Sequence, residues 1–399
     1  MSSAFWWRRP DLGYENGRLH LAGRDVAHLA AQADGPVFLY SAARVLENIA
    51  RVRAALEATG KPGEVYYAIK ANRFAPLLTT LAASGACGVD VCSPAELQLA
   101  VDCGFDETRI SFTGVGWSDA DLDVLLRHPR ARINCDSLGQ IRRLGERAPG
   151  RCIGLRVNPG LGVGYGGNEK LRYAGARPTK FGVYPEDVGA ALETAARYGL
   201  VIDGLHFHLG CGYLDRDLAD FEAAVAVCAE TLDRLPNVRH VNVGGGLGLP
   251  HVAGDAPLDL TAWASLLRRA FAGREVSLSV EPGDYIVKDA GVLALRVTDV
   301  EDKRGVRFVY VDGGFNLHPE PVFYDLPCEP APCAPRLGAT HETTIAGNIN
   351  EAMDLWAVDK PLPPLEPGDW IAFLNAGGYG ASMSSDHCRR GRFRERLLL

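Results

Sequence analysis

A (β/α)8 barrel joined to a second, all-β domain is the fold that the sequence predicts, and three observations predict it. Short apolar runs at 65–70, 87–91, 110–113, 132–135, 152–158, 204–208, 238–243 and 276–281 are separated by segments with helical periodicity. Residues of distinctive chemistry fall at the C-terminal ends of these runs: Lys70, Asp90, Arg156 with Asn158, His206 with His208, Gly244-Gly245-Gly246 and Glu281-Pro282-Gly283. That end of a barrel is where active sites lie. After about residue 286 the rhythm changes to β-prone runs at 292–300, 306–311, 342–345 and 370–374, joined by Pro- and Gly-rich loops at 327–338 and 361–368. The repeated strand-helix alternation favours a closed barrel over an open sheet. The tail reads as a β-barrel or β-sandwich-like domain. The expected division is a barrel over 36–285 and a discontinuous β domain from 1–35 plus 286–399.

The bulk properties agree with two structural units. At 399 residues the chain exceeds one ordinary domain, and its 47% hydrophobic and 23% charged composition is that of a soluble globular protein. A net charge of -7 argues against nucleic acid or an anionic membrane as the main partner. No apolar run reaches the ~18 residues of a membrane span. The N-terminal Phe5-Trp6-Trp7-Arg8-Arg9-Pro10 lacks the apolar region and cleavage site of a signal peptide, so a cytoplasmic location is expected. Cys87, Cys92, Cys103, Cys135, Cys152, Cys211 and Cys228 lie in apolar patterns without metal spacing and read as small buried hydrophobes. Cys328 and Cys333 flank a Pro-rich loop with no second pair nearby, so no metal is expected.

In chain order, 37–40 reads as a strand and Ser41 as the cap of a helix whose Leu46, Ile49, Val52 and Leu56 form one face, ended by Gly60 and Pro62. The first barrel run follows and ends in Lys70. Ser93-Pro94-Ala95-Glu96 reads as a capping box with proline at the first helical position, and Gly104 sits just past that helix. A helix starting at Asp136 faces Leu138, Ile141 and Leu144 inward, and 217–235 and 260–271 are strongly periodic.

A lysine crowded by apolar walls favours its neutral amine, which is the nucleophile for Schiff-base formation. The competing reading is a lysine that simply reaches water. Gly244-Gly245-Gly246-Leu247-Gly248 can bring backbone N–H groups close to a phosphate, or it can be only a tight turn. Glu281 can hold a pyridine nitrogen protonated and so make the ring an electron sink. A lysine, a glycine turn, an imidazole and a buried carboxylate together are what pyridoxal 5'-phosphate requires.

Tyr67-Ala68-Ile69-Lys70-Ala71-Asn72, Gly204-Leu205-His206-Phe207-His208-Leu209-Gly210, Gly244-Gly245-Gly246-Leu247-Gly248, Glu281-Pro282-Gly283 and Gly377-Gly378-Tyr379-Gly380-Ala381-Ser382-Met383 follow one another in order. From about residue 36 to 388 the chain resembles the fold-type III pyridoxal-phosphate decarboxylases, which share an alanine racemase-like architecture. The diaminopimelate decarboxylases are nearest and the ornithine decarboxylases more distant. The resemblance implies that Lys70 bonds covalently to the cofactor, that His208 stacks on its ring and that Glu281 pairs with its nitrogen. Gly245, Gly246, Gly283 and Tyr379 would lie near the phosphate, with Asp90 and Arg156 also at the cofactor. It implies a homodimer whose active sites are completed at the interface, the matching stretch being Gly347-Asn348-Ile349-Asn350-Glu351-Ala352-Met353-Asp354. The partner expected is a small amino-acid-like substrate.

Four departures stand out. Asn350 occupies the place of the family's proton-donating cysteine, and a carboxamide is not a usable general acid, while Glu351 is retained. Asp284 follows Glu281-Pro282-Gly283 where the family has arginine. Glu320, with Pro321 and Tyr324, replaces the arginine of the family's distal-carboxylate site. Cys211 replaces a serine. The expectation is a decarboxylase whose substrate lacks the distal carboxylate of diaminopimelate, with Asp284, Glu320, Tyr324, Glu351 and Tyr379 at the substrate. Asp284 and Glu320 would face a cationic or hydroxylated side chain, or alternatively pair with a local Arg or Lys. Reprotonation would fall to Lys70, Glu351 or water. A decarboxylation-dependent transaminase, a racemase and an inactive regulatory paralogue are the rivals, with a His206/His208 metal hydrolase weaker because that pair sits on the sixth run.

Overall fold

The computed structural model describes residues 5–175 and 177–399. The chain forms two compact units, one comprising Met1–Val45, Pro250–Asp255 and Ile286–Leu399, the other Leu46–Leu249 and Ala256–Tyr285.

The second unit is a closed barrel of eight parallel strands: Gly63–Ala68, Gly88–Val91, Ile110–Phe112, Arg132–Cys135, Cys152–Arg156, Val201–His206, His240–Asn242 and Ser277–Val280. The eight apolar runs of the sequence are these strands, and each pairs with its neighbour in chain order. The strands are short, and their chemistry-bearing residues follow at or just after the last paired position. Register brings them side by side: Ala68 opposite Asp90, Asp90 opposite Ser111, and His206 between Arg156 and Asn242.

Several of the intervening helices start on side-chain caps. Ser93 Oγ accepts the Glu96 N–H, with Pro94 at the first helical position. Glu96 reaches back to the N–H of Cys92 at 2.8 Å rather than to that of Ser93, so the expected reciprocal box is displaced by one residue. The helix expected to begin at Asp136 is Leu138–Arg147, capped by Ser137, and this frees Asp136 for other use.

In the β unit, strands run in the order Pro330–Pro332, Trp370–Phe373, Gly291–Lys303, Val306–Val311, His341–Ala346 and Leu355–Leu362. Val37–Ser41 pairs antiparallel with the start of Gly291–Lys303 and parallel with Arg394–Leu398, so this strand hydrogen-bonds within the β unit. A separate three-stranded sheet of Leu12–Glu15, Arg18–Leu21 and Arg24–Asp25 shares a core with it through Leu19, Leu21, Val292, Ala294 and Ala372. Among the described residues, no helix is long and apolar enough to cross a membrane.

Of the cysteines expected to be buried, Cys92 and Cys152 are exposed and Cys211 is intermediate, because they lie at strand ends and in a loop rather than on packed faces. The others of that group are buried, as are Cys328 and Cys333.

Candidate active site

Glu281, directly after the eighth barrel strand, gathers hydrogen bonds from three other barrel strands. Its Oε1 accepts from Ser111 Oγ at 2.8 Å and Asn242 Nδ2 at 2.7 Å, and its Oε2 lies 2.9 Å from His206 Nε2, which donates to it. Burial alone would push this carboxyl up. His206, Lys70 and Ser111 reverse that and hold it below the usual carboxylate range. Glu281 is therefore a buried anion.

Lys70 lies in the single turn Ile69–Ala71 that follows the first strand, not in the strand itself. Its Nζ is 3.2 Å from Asp90 Oδ2. The expectation of a neutral amine between apolar walls fails here. Burial favours the neutral form, but the negative field of Asp90, with Cys92, Tyr173 and Glu281, outweighs it and raises the lysine. Asp90 is itself pushed up to about 7, by burial first and then by Glu281. Its second oxygen, Oδ1, is buried and has no hydrogen-bond partner.

His208 accepts the Gly245 N–H on Nδ1 at 3.2 Å, and its ring packs edge-on against Tyr173 with centroids 4.6 Å apart. Burial, then Lys70, Arg156 and His206, holds it well below the ordinary histidine value. It is a neutral ring whose proton sits on Nε2. Cys211 Sγ lies 3.9 Å from that nitrogen.

The glycine turn has no room for side chains. A Cβ on Gly245 would lie 2.2 Å from the Glu281 carbonyl, and one on Gly246, at φ +98°, 2.0 Å from that of Gly210. Gly283 is buried in the turn after Pro282, whose carbonyl accepts the Ala68 N–H. Arg156 is buried, bonds Asp136 Oδ2 at 2.9 Å and lies over the Phe181 ring at 4.6 Å. Asn158 Nδ2 donates to the Phe181 carbonyl and Thr179 Oγ1. His206 and His208 thus have separate partners, and among the described residues no cluster could hold a metal ion. Asp284 is half-buried and opens the short helix Asp284–Val287.

The remaining expected residues belong to the β unit. Glu320 is buried, and its Oε1 accepts from Lys288 Nζ at 3.0 Å, with both side chains almost fully enclosed. The local pairing weighed as the alternative is thus the geometry found for Glu320, in place of the expected contact with a substrate side chain. Tyr324 ends the helix Glu320–Tyr324 and is half-buried. Asn350 and Glu351 are exposed on the turn before Leu355–Leu362, with Glu351 Oε1 3.3 Å from His387 Nε2. Asp354 holds that turn by accepting the N–H groups of Phe315 and Ile349, each at 2.7 Å. Tyr379 is half-buried at φ 53°.

Sequence reasoning missed Ser111, Asn242, Asp136 and Lys288. The first two carried a signal: small polar residues on barrel strands where branched aliphatic residues are usual.

The residues of the barrel fit pyridoxal phosphate. An amine, an ionised carboxylate, a neutral imidazole and a side-chain-free turn stand on neighbouring strand ends, and Asp90 Oδ1 is left without a partner. They define a pyridoxal-phosphate enzyme of the barrel type. A family profile described as "Pyridoxal-dependent decarboxylase, pyridoxal binding domain" matches residues 43–288. The chain is 33% identical to a diaminopimelate decarboxylase of Methanothermobacter thermautotrophicus over 96% of this chain and 91% of the relative. A Zymomonas mobilis diaminopimelate decarboxylase is 31% identical over 94% and 90%. A crystal structure of the diaminopimelate decarboxylase of M. jannaschii with L-lysine superposes with a TM-score of 0.89 at 25% identity, covering 98% of this chain and 93% of that one. The chain belongs to the fold-type III pyridoxal-phosphate decarboxylases. It is a pyridoxal-phosphate-dependent amino-acid decarboxylase.

Proposed function

We propose that this decarboxylase acts on an amino acid whose side chain lacks the distal carboxylate of diaminopimelate. The observation that carries the reading is the charge at positions 284 and 320. Both are acids, and Glu320 is closed against Lys288 inside the β unit. An arginine that could receive a second carboxylate stands at neither position. Asp284 remains the proposed contact for a cationic or hydroxylated side chain, with Tyr324, Tyr379 and Glu351 as further substrate residues.

When bound, pyridoxal phosphate supplies the carbonyl that captures an amine and the conjugated ring that accepts the electron pair left by departing CO2. Lys70 Nζ is the residue proposed to hold it covalently. Asp90, 3.2 Å away, is the group that can take or return the Nζ proton. Glu281, kept ionised, would pair with the ring nitrogen, and neutral His208 offers a flat face for stacking without adding charge. Gly245, Gly246 and Gly283 keep side chains out of the space proposed for the phosphate, and Arg156, fixed by Asp136, keeps a positive charge buried nearby. Asn350 cannot donate the proton that completes the reaction, so Lys70, Glu351 or water takes that part. Assembly as a homodimer is part of this proposal and is supported by the likeness to the family.

The test is a CO2-release panel with the reconstituted protein over lysine, ornithine, arginine, hydroxylated amino acids and meso-diaminopimelate, with products identified. Preference for a basic or hydroxylated substrate, giving an amine, supports the reading. Highest turnover on meso-diaminopimelate would end it, and a carbonyl product would favour decarboxylation-dependent transamination.

A further inference from the structure

Barrel interiors are usually filled with layers of branched aliphatic side chains. Below Glu281 this one carries a chain of hydrogen bonds whose direction is fixed throughout. Asn242 Oδ1 accepts the Gly244 N–H at 3.0 Å, which orients its amide so that Nδ2 faces Glu281. Asn134 Nδ2 donates to Ser111 Oγ at 3.1 Å and to Thr113 Oγ1 at 2.8 Å. With its oxygen receiving from Asn134, Ser111 directs its single proton at Glu281. Gly154, opposite Asn134 across the strands, makes this possible: a Cβ there would lie 2.0 Å from Asn134 Oδ1. A cavity of about 210 Å³, lined in part by Asn134, Asn242, Arg132 and His240, opens beneath the two amides and leaves them room for water.

We propose that Ser111, Asn134 and Asn242 are positioning residues that lock Glu281 as a carboxylate in one orientation, with Asn134 acting through Ser111. The proposal rests on the reading of Glu281 as partner of the cofactor's ring nitrogen. Ser111 and Asn242 donate directly to the carboxylate, and Asn134 donates to the Ser111 oxygen and to Thr113 Oγ1. A carboxylate that accepts three hydrogen bonds in a buried site keeps its charge over the working pH range. A merely structural network would tolerate a reversed or missing donor as long as the barrel remained packed.

The test is a pH titration of the visible absorbance of the pyridoxal-phosphate-loaded protein, run beside kcat and KM, for wild type, Ser111→Ala, Ser111→Thr, Asn134→Leu and Glu281→Gln. Ser111→Ala and Asn134→Leu are expected to move the acid-side transition up by roughly one pH unit, the size expected when a carboxylate loses one donor. They should lower kcat about tenfold with KM little changed, again by the loss of about one hydrogen bond. Ser111→Thr, which keeps the hydroxyl, should restore both. Loss of turnover in Glu281→Gln, with unshifted titrations in Ser111→Ala and Asn134→Leu, would overturn the proposal alone. Unchanged spectrum and turnover in Glu281→Gln would overturn the reading of the site and the proposal with it. If Asn134→Leu fails to fold, Ser111→Ala, which removes a single oxygen, decides the matter.

Discussion

The two units differ in one pair of charges. In the β unit the buried charges are closed: Lys288 and Glu320 meet at 3.0 Å, and Asp354 binds a backbone N–H with each oxygen. In the barrel Arg156 and Asp136 are paired in the same way and Glu281 is bonded at both oxygens, but the Lys70–Asp90 pair is left open. Asp90 keeps an unpartnered oxygen, Lys70 is still partly exposed beside it, and Glu281 concentrates an anion at the centre of the barrel. Closed pairs contribute to one packed arrangement, whereas open, perturbed groups on neighbouring strand ends are what a ligand of matching chemistry completes. The difference marks the barrel as the reacting unit independently of any resemblance.

Substitutions that open the closed set or remove the open one break this comparison. Lys70→Ala should have the largest effect, lowering CO2 release roughly 10⁴-fold through loss of the covalent anchor, while leaving the thermal unfolding midpoint of the apoprotein nearly unchanged. In the β unit the expectation inverts. Lys288→Met removes the ammonium partner of buried Glu320 and should cost about 3–5 kcal/mol in urea unfolding, and Lys288→Met/Glu320→Leu should recover most of it. A double variant that recovered nothing would mean that the pair is not closed in solution.

The open set also carries a pH signature. Asp90, at about 7 in the folded protein, lies above its ordinary value of 3.8. Between about pH 4 and about 7 the folded state therefore holds a proton that the unfolded chain has lost, and stability declines as pH rises through that window. Asp90→Asn apoprotein should show a flatter profile over the same range by about 1 kcal/mol or more. An identical slope in the two proteins would remove Asp90 from the set of open groups. The smallest effect belongs to an ordinary cap outside both sets: Ser118, which completes a capping box with Asp121, should cost about 1 kcal/mol as Ser118→Ala without touching turnover.

Much of this was legible in the sequence, and unevenly so. Buried parallel strands read as short apolar runs between turn signals, so all eight barrel strands could be placed, with the polar and charged residues at or just after their ends. Environment could not be read, because partners lie far apart in the chain. Lys70 takes its charge state from Asp90, twenty positions on. Asp136 was read as the start of a helix, yet it bonds Arg156. Lys288 carries no signal of its own in the sequence, since its partner Glu320 lies thirty-two positions on. Three strands of the β unit also escaped, one of them, Pro330–Pro332, inside the stretch 327–338 that reads as a Pro-rich loop. Leu355–Leu362 carries Asp359, Lys360 and Pro361, and Arg394–Leu398 begins with three charged residues, so neither shows the apolar alternation that announces a strand.

The central claim is that Lys70, among the open charges of the barrel, anchors the cofactor. It is tested most directly by loading the protein with pyridoxal phosphate, reducing with borohydride and locating the modified lysine by peptide mass spectrometry. The account predicts label on the peptide carrying Lys70 and none in Lys70→Ala. Label on Lys288 or another lysine, or no label on wild type at saturating pyridoxal phosphate, would contradict it.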